Sequence, residues 1–127
     1  TYCCDQTDTN KLKEIIKNEG SPFIIIDDCS HLKELTIKSF EILFPLLKSG
    51  GLYCIEDVVA PAYWPDWGGC ETIFDSGFMN YFFQLCHFVN LKRQETFNPP
   101  CNLKIPNWIK EIDSIHFHHS QIIIRKK

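Results

Sequence analysis

The sequence predicts an α/β fold built on parallel strands, and three observations lead there. Two short apolar runs, Phe23-Ile24-Ile25-Ile26 and Leu52-Tyr53-Cys54-Ile55, each end abruptly in carboxylates, Asp27-Asp28 and Glu56-Asp57. Such runs form strands buried on both faces. Between them, residues 32–47 place Leu32, Leu35, Ile37, Phe40, Leu43, Phe44 and Leu47 at helical spacing, which reads as one helix. A strand–helix–strand crossover of this length is right-handed and sets its strands parallel and adjacent. Both acidic ends then open at the carboxyl edge of the sheet, where open α/β sheets bind ligands.

The remaining elements follow in chain order. Residues 1–4 resemble the last residues of a strand. Asp8, Thr9 and Asn10 are capping candidates for a helix over 11–18, with Leu12, Ile15 and Ile16 on its apolar face and Gly20 at its end. The first full strand covers 23–27. Ser30 can cap the helix that follows, and Pro45 tightens or kinks its last turn. Gly50-Gly51 turns the chain into a second strand over 52–56. Residues 58–69 form a loop rich in Pro, Gly and aromatics (Tyr63, Trp64, Trp67), placed to be a lid or substrate wall. A helix over 71–90 carries Phe74, Phe78, Tyr81, Phe82 and Leu85 as a core stripe. Residues 92–106 form an irregular connection, and 108–112 a strand or a helical turn. Residues 114–118 and 121–125 pair as a terminal hairpin around His119-Ser120.

Composition narrows the class. A chain of 127 residues with 44% hydrophobic content forms one domain with a real core. A net charge of -3 gives no reason to expect a nucleic-acid partner. No apolar run approaches the ~20 residues of a membrane span. The seven cysteines are odd in number, form no C-x-x-C pair, and include Cys54 and Cys86 inside apolar segments. They read as reduced, mostly buried thiols of a cytoplasmic protein.

Four carboxylates at two neighbouring strand ends repel one another, and a hard cation such as magnesium relieves that repulsion. Asp28 and His31 lie three apart across a strand-to-helix turn, so both can face the cleft. A carboxylate on a cation beside a neutral imidazole suits deprotonation of a bound hydroxyl. Helix capping alone would explain Asp28 and Ser30, but it explains neither Glu56 nor Asp57. His116 and His118 share a strand face and could bind zinc. No third ligand is indicated for them, and solvent-facing positions on an edge hairpin are the ordinary explanation.

The segments Cys4-Asp5-Gln6, Asp27-Asp28-Cys29-Ser30-His31, Gly50-Gly51-Leu52-Tyr53-Cys54-Ile55-Glu56-Asp57 and Ala62-Tyr63-Trp64-Pro65 resemble class I S-adenosylmethionine-dependent methyltransferases. They are similar in particular to the magnesium-dependent sugar O-methyltransferases of macrolide biosynthesis, of the mycinamicin type. The resemblance spans nearly the whole chain. It implies a Rossmann-like fold, methyl transfer to a hydroxyl of a sugar or other small molecule, and S-adenosyl-L-methionine and Mg2+ as cofactors. It implies Asp28, Glu56 and Asp57 as metal ligands, His31 as catalytic base, and Asp5, Gln6 and Asp27 on the cofactor.

Three departures qualify this resemblance. Cys4 and Cys29 stand where the family has glycine, and at a positive φ each would carry strain of about 1–2 kcal/mol. The family's first strands and Gly-rich loop have no counterpart, so residues 1–127 read as a partial, carboxyl-terminal methyltransferase domain. Such a chain is expected to bind the cofactor weakly and to form a homo-oligomer or pair with a missing amino-terminal half. The rival expectation is a non-catalytic or inactive α/β module, like a receiver domain, that retains the acidic cation site.

Overall fold

The computed structural model describes residues 1–70, 72, 76–91 and 106–127. Helix α1 (Thr9–Glu19) is capped by Asp8, whose carboxylate accepts from Asn10 and Lys11 N–H at 3.1 and 3.0 Å, and is closed by Gly20 at φ +89°. The crossover then forms as the sequence predicts. Strand β1 (Ile24–Asp27) passes through α2 (Lys33–Leu43) to β2 (Leu52–Ile55), and the two strands pair in parallel from Ile24 opposite Leu52 to Asp27 opposite Ile55. Pro45 has the expected effect: Phe44–Leu46 tighten into a 3-10 turn after α2.

A short helix α3 (Val59–Tyr63), a 3-10 turn (Pro65–Trp67) and α4 (Gly77–Leu91) follow. The alternative left open for 108–112 resolves to a 3-10 turn, Asn107–Glu111. The hairpin of β3 (Ile112–His118) and β4 (Gln121–Lys126) closes the chain. Its second strand inserts antiparallel beside β2, giving the order β1-β2-β4-β3.

One sheet face supplies the core. Tyr53, Ile55, Ile122 and Ile124 are fully buried in a single cluster with Phe40 and Phe44 before β2, Phe78 and Phe82 of α4, and Ile109. Phe40 anchors it, with the rings of Phe44, Tyr53, Phe82 and Trp108 all 5.2–5.6 Å away, three of them edge-on. The sheet therefore holds the ends of β1 and β2 on a rigid platform, which is what the site requires.

Several expectations need correction. Residues 1–4 form no strand and are exposed; extended backbone becomes a strand only with a neighbour to complete its hydrogen bonds. β1 is not covered on both sides, since Ile24 and Ile26 are 54% and 63% exposed. The buried side of α2 runs through Thr36 and Ser39, while Leu32 is exposed. None of the six described cysteines is buried, and Cys3, Cys4 and Cys29 are exposed; all six are free thiols. The strain anticipated at Cys4 and Cys29 does not arise, because neither adopts a positive φ. Phe74 and the connection over 92–105 lie outside the described residues.

Candidate functional site

The two acidic strand ends meet as the crossover requires. The Asp27 carbonyl accepts from Glu56 N–H at 3.0 Å, carrying the parallel ladder one step beyond the strands. Each chain then turns sharply. After β1, the Ser30 hydroxyl accepts from Leu32 N–H at 3.3 Å instead of capping α2, and His31 takes a left-handed φ of +53°. After β2, Asp57 takes φ +50°, and its carbonyl accepts from Ala60 N–H at 3.1 Å to start α3. Val58 N–H donates to Ser120 O at 3.1 Å, fastening this turn to the hairpin. A left-handed non-glycine residue costs of order 1–3 kcal/mol, and such residues gather at functional sites. Here two of them, His31 and Asp57, face each other.

The side chains converge. His31 Nε2 lies 3.6 Å from Asp28 Oδ1 and 3.8 Å from Asp57 Oδ2. One ligand atom from each of the three lies within 4.8 Å of the others, and among the described residues no other His, Cys, Asp or Glu group is arranged this way. The imidazole is sheltered, at 19% side-chain exposure, while both carboxylates face solvent. Glu56 is adjacent in sequence but is held elsewhere, its Oε1 accepting from Gln121 Nε2 at 3.1 Å. His116 and His118 stack at 6.5 Å on the hairpin, and no third ligand joins them among the described residues.

Beneath the cluster lies a buried polar chain. Tyr53 OH donates to Asp27 Oδ2 at 2.8 Å and lies 3.2 Å from Ser39 Oγ. Burial pushes the Asp27 carboxyl above its usual range, and the bonds from Tyr53 and Ser39 only partly offset this. Burial, with the nearby Asp27 charge, pushes the Tyr53 phenol up as well. Asp27, Tyr53, Ser39 and Gln6 line a cavity of about 250 Å³ beside Asp28. Within it, Gln6 Nε2 is buried without a hydrogen-bond partner, a donor left for a ligand. Asp5 points elsewhere: it is exposed and accepts from Thr7 N–H and Oγ1 at 2.7 and 2.6 Å, which holds its carboxyl below the usual range.

A carboxyl raised in the fold stabilises it most below the ordinary carboxylate range, and that contribution is lost as pH rises through the raised value. Asp27→Asn removes the buried charge and keeps an acceptor for Tyr53. It is expected to melt higher than wild type at pH 7, with the difference closing near pH ~4. Thermal melts at the two pH values check this, and a lower melting point at pH 7 would contradict it.

Sequence reasoning missed the Ser39–Tyr53–Asp27 chain, the Glu56–Gln121 bond and the approach of Trp67 to His31, whose rings are 6.1 Å apart. Only the first had a signal. A tyrosine inside an otherwise apolar buried strand needs a partner for its hydroxyl, and the parallel register brings a carboxylate near.

No protein-family model matches the chain. It is 33% identical over 127 residues to the demethylmacrocin O-methyltransferase of Streptomyces fradiae, covering 99% of this chain and 31% of that protein. It is 29% identical over 131 residues to the 8-demethyl-8-alpha-L-rhamnosyl tetracenomycin-C 2'-O-methyltransferase of Streptomyces olivaceus, covering 100% of this chain and 32% of that protein. The solved structure of the MycE methyltransferase from the mycinamycin biosynthetic pathway, in complex with Mg and SAH, superposes with a TM-score of 0.85 at 30% identity, over 99% of this chain and 32% of MycE. The fold is thus part of the Rossmann-like methyltransferase fold. The chain is related to these methyltransferases, and it spans about a third of their length.

Proposed function

We propose that this chain carries the metal and base half of an S-adenosylmethionine-dependent, magnesium-assisted O-methyltransferase acting on a hydroxyl of a sugar or other small molecule. The observation that carries this reading is the convergence of Asp28, His31 and Asp57 at the carboxyl ends of two parallel strands. Asp28 and Asp57 offer hard oxygen donors that fit magnesium, and Glu56 would complete the set by releasing Gln121. When bound, the ion supplies Lewis-acid polarisation of an acceptor hydroxyl. His31 Nε2, 3.6 and 3.8 Å from the Asp28 and Asp57 carboxylates, takes the hydroxyl proton. The orphaned amide of Gln6 and the cavity it lines fit one end of a nucleoside cofactor, which supplies the methyl group; Asp27 lines that cavity, and Asp5 would reach the cofactor only by releasing Thr7. The names of the relatives support a glycosyl acceptor, and the free thiols fit a cytoplasmic setting.

Transfer of labelled methyl from S-adenosylmethionine to a rhamnosylated acceptor, assayed in the protein that carries this segment, tests the reading. Activity abolished by a chelator and restored by magnesium is expected. Magnesium binding without any transfer would favour a non-catalytic cation-binding module.

The exposed Ile24 and Ile26 share one face of edge strand β1 and make an apolar surface that favours pairing with another chain. The 127-residue chain is expected to self-associate, and Ile26→Lys to reduce the association constant by at least roughly tenfold. Light scattering across a dilution series reads this directly, and a monodisperse wild-type monomer would contradict it.

A further inference from the structure

The segment after Asp57 is built as a rigid rim beside the acidic cluster. Trp64 O accepts from both Trp67 and Gly69 N–H at 3.0 Å, and Ala62 O from Cys70 N–H at 3.2 Å, so the chain folds back on itself. Gly69 has no room for a side chain, since a Cβ would stand 2.6 Å from the nitrogens of Tyr63 and Trp64. Gly68, at φ +84°, presses against Lys33 in the first turn of α2, where a Cβ would meet the Lys33 Cβ at 3.0 Å. Lys33 is two residues beyond His31, so the rim and the base share one support.

This rim presents two indoles. The Trp67 ring lies 6.1 Å from the His31 imidazole, and Trp64 packs edge-on against Trp67 at 6.3 Å. Trp67 remains partly exposed and Trp64 is 53% exposed. A surface loop held only by packing would explain partial burial of Trp67. It leaves unexplained a second large indole, Trp64, standing more than half in water against Trp67, so that the two rings form an exposed apolar patch of the kind that marks a binding surface.

Resting on the methyl-transfer reading above, we propose that Trp67, backed by Trp64, is the positioning surface for the acceptor sugar. A pyranose presents an apolar C–H face and a polar hydroxyl edge. Its C–H face laid on the Trp67 indole sheds water at little cost, while its hydroxyl edge turns toward His31, Asp28 and Asp57. A 6-deoxy sugar suits this surface best, because its C6 methyl enlarges the apolar face.

Saturation-transfer NMR with methyl α-L-rhamnopyranoside, on the 127-residue chain in magnesium, tests the proposal. Wild type is expected to transfer saturation to the ring C–H and C6 methyl protons. Trp67→Ala should weaken sugar affinity roughly tenfold, while Trp67→Phe stays within about threefold of wild type. Trp64→Ala, at an exposed position where folding is not at risk, should weaken it by about threefold. In the active protein the Trp67→Ala loss should fall on KM more than on kcat. Calorimetric magnesium heats unchanged in Trp67→Ala separate lost sugar contact from lost fold. Sugar contact that survives in Asp57→Asn after the magnesium heat is gone would support an aromatic surface that holds the sugar independently of the cation site, whereas sugar contact in a wild type that gives no magnesium heat would support the aromatic surface while removing the metal from the proposed function. Magnesium binding with no sugar contact in wild type, or equal contact in Trp67→Ala, would overturn the aromatic surface and leave the cation site standing.

Discussion

Replacing His31 by Ala is expected to slow methyl transfer by ~10²–10⁴-fold while leaving cofactor affinity close to wild type, the signature of a lost general base. The expectation rests on geometry. His31 Nε2 faces Asp28 and Asp57 at 3.6 and 3.8 Å, and the ring is sheltered beside Trp67. Its left-handed backbone complicates a simple truncation, because alanine there carries strain of about 1–2 kcal/mol. His31→Asn is the better-matched variant: asparagine accepts this conformation readily and supplies no base. Both variants should lose the chemical step equally. Single-turnover rates and equilibrium cofactor binding, measured on the protein that carries this segment, separate the possibilities. Weakened cofactor binding with an intact chemical step would make His31 a binding or structural residue.

Asp57→Asn should lower magnesium affinity on the order of 100-fold. Asparagine suits the left-handed turn at this position as well as aspartate does. The backbone bonds from Asp57 O to α3 and from Val58 to Ser120 therefore remain, and the substitution removes a charge with little else. Calorimetric titration of wild type and variant reads the difference. Equal heats would remove Asp57 from the metal site. Asp28→Asn gives the companion measurement from the other strand end, where φ is ordinary and no backbone effect intervenes.

Much of this arrangement was legible because it depends on local rules. An apolar run ending in acids, a helix of crossover length and a second such run suffice for parallel pairing, and parallel pairing brings Asp28 and Asp57 together. The proline-tightened end of α2 and the hairpin were legible for the same reason. What escaped depends on tertiary neighbours. Exposure of Ile24 and Ile26 is a property of what lies over β1, and nothing in the run itself encodes it. Burial of Thr36 and Ser39 in place of Leu32 follows from the rotation of α2 over the sheet, which spacing fixes only to within a residue or so. Glu56 illustrates the limit well. Its carboxylate bonds Gln121, 65 residues away in the chain, a partner that no local pattern indicates. The left-handed turns at His31 and Asp57 carry no glycine or asparagine signal, so the strain that shapes the site was invisible in the sequence.

Manganese, a close substitute for magnesium that scatters anomalously, tests the central claim most directly. Crystals of the chain soaked in manganese chloride should show one strong anomalous peak within about 2.3 Å of carboxylate oxygens of both Asp28 and Asp57, absent from crystals of Asp57→Asn. A peak bound elsewhere on the molecule, or none at the ends of β1 and β2 at millimolar ion, would contradict a metal-assisted role for this site.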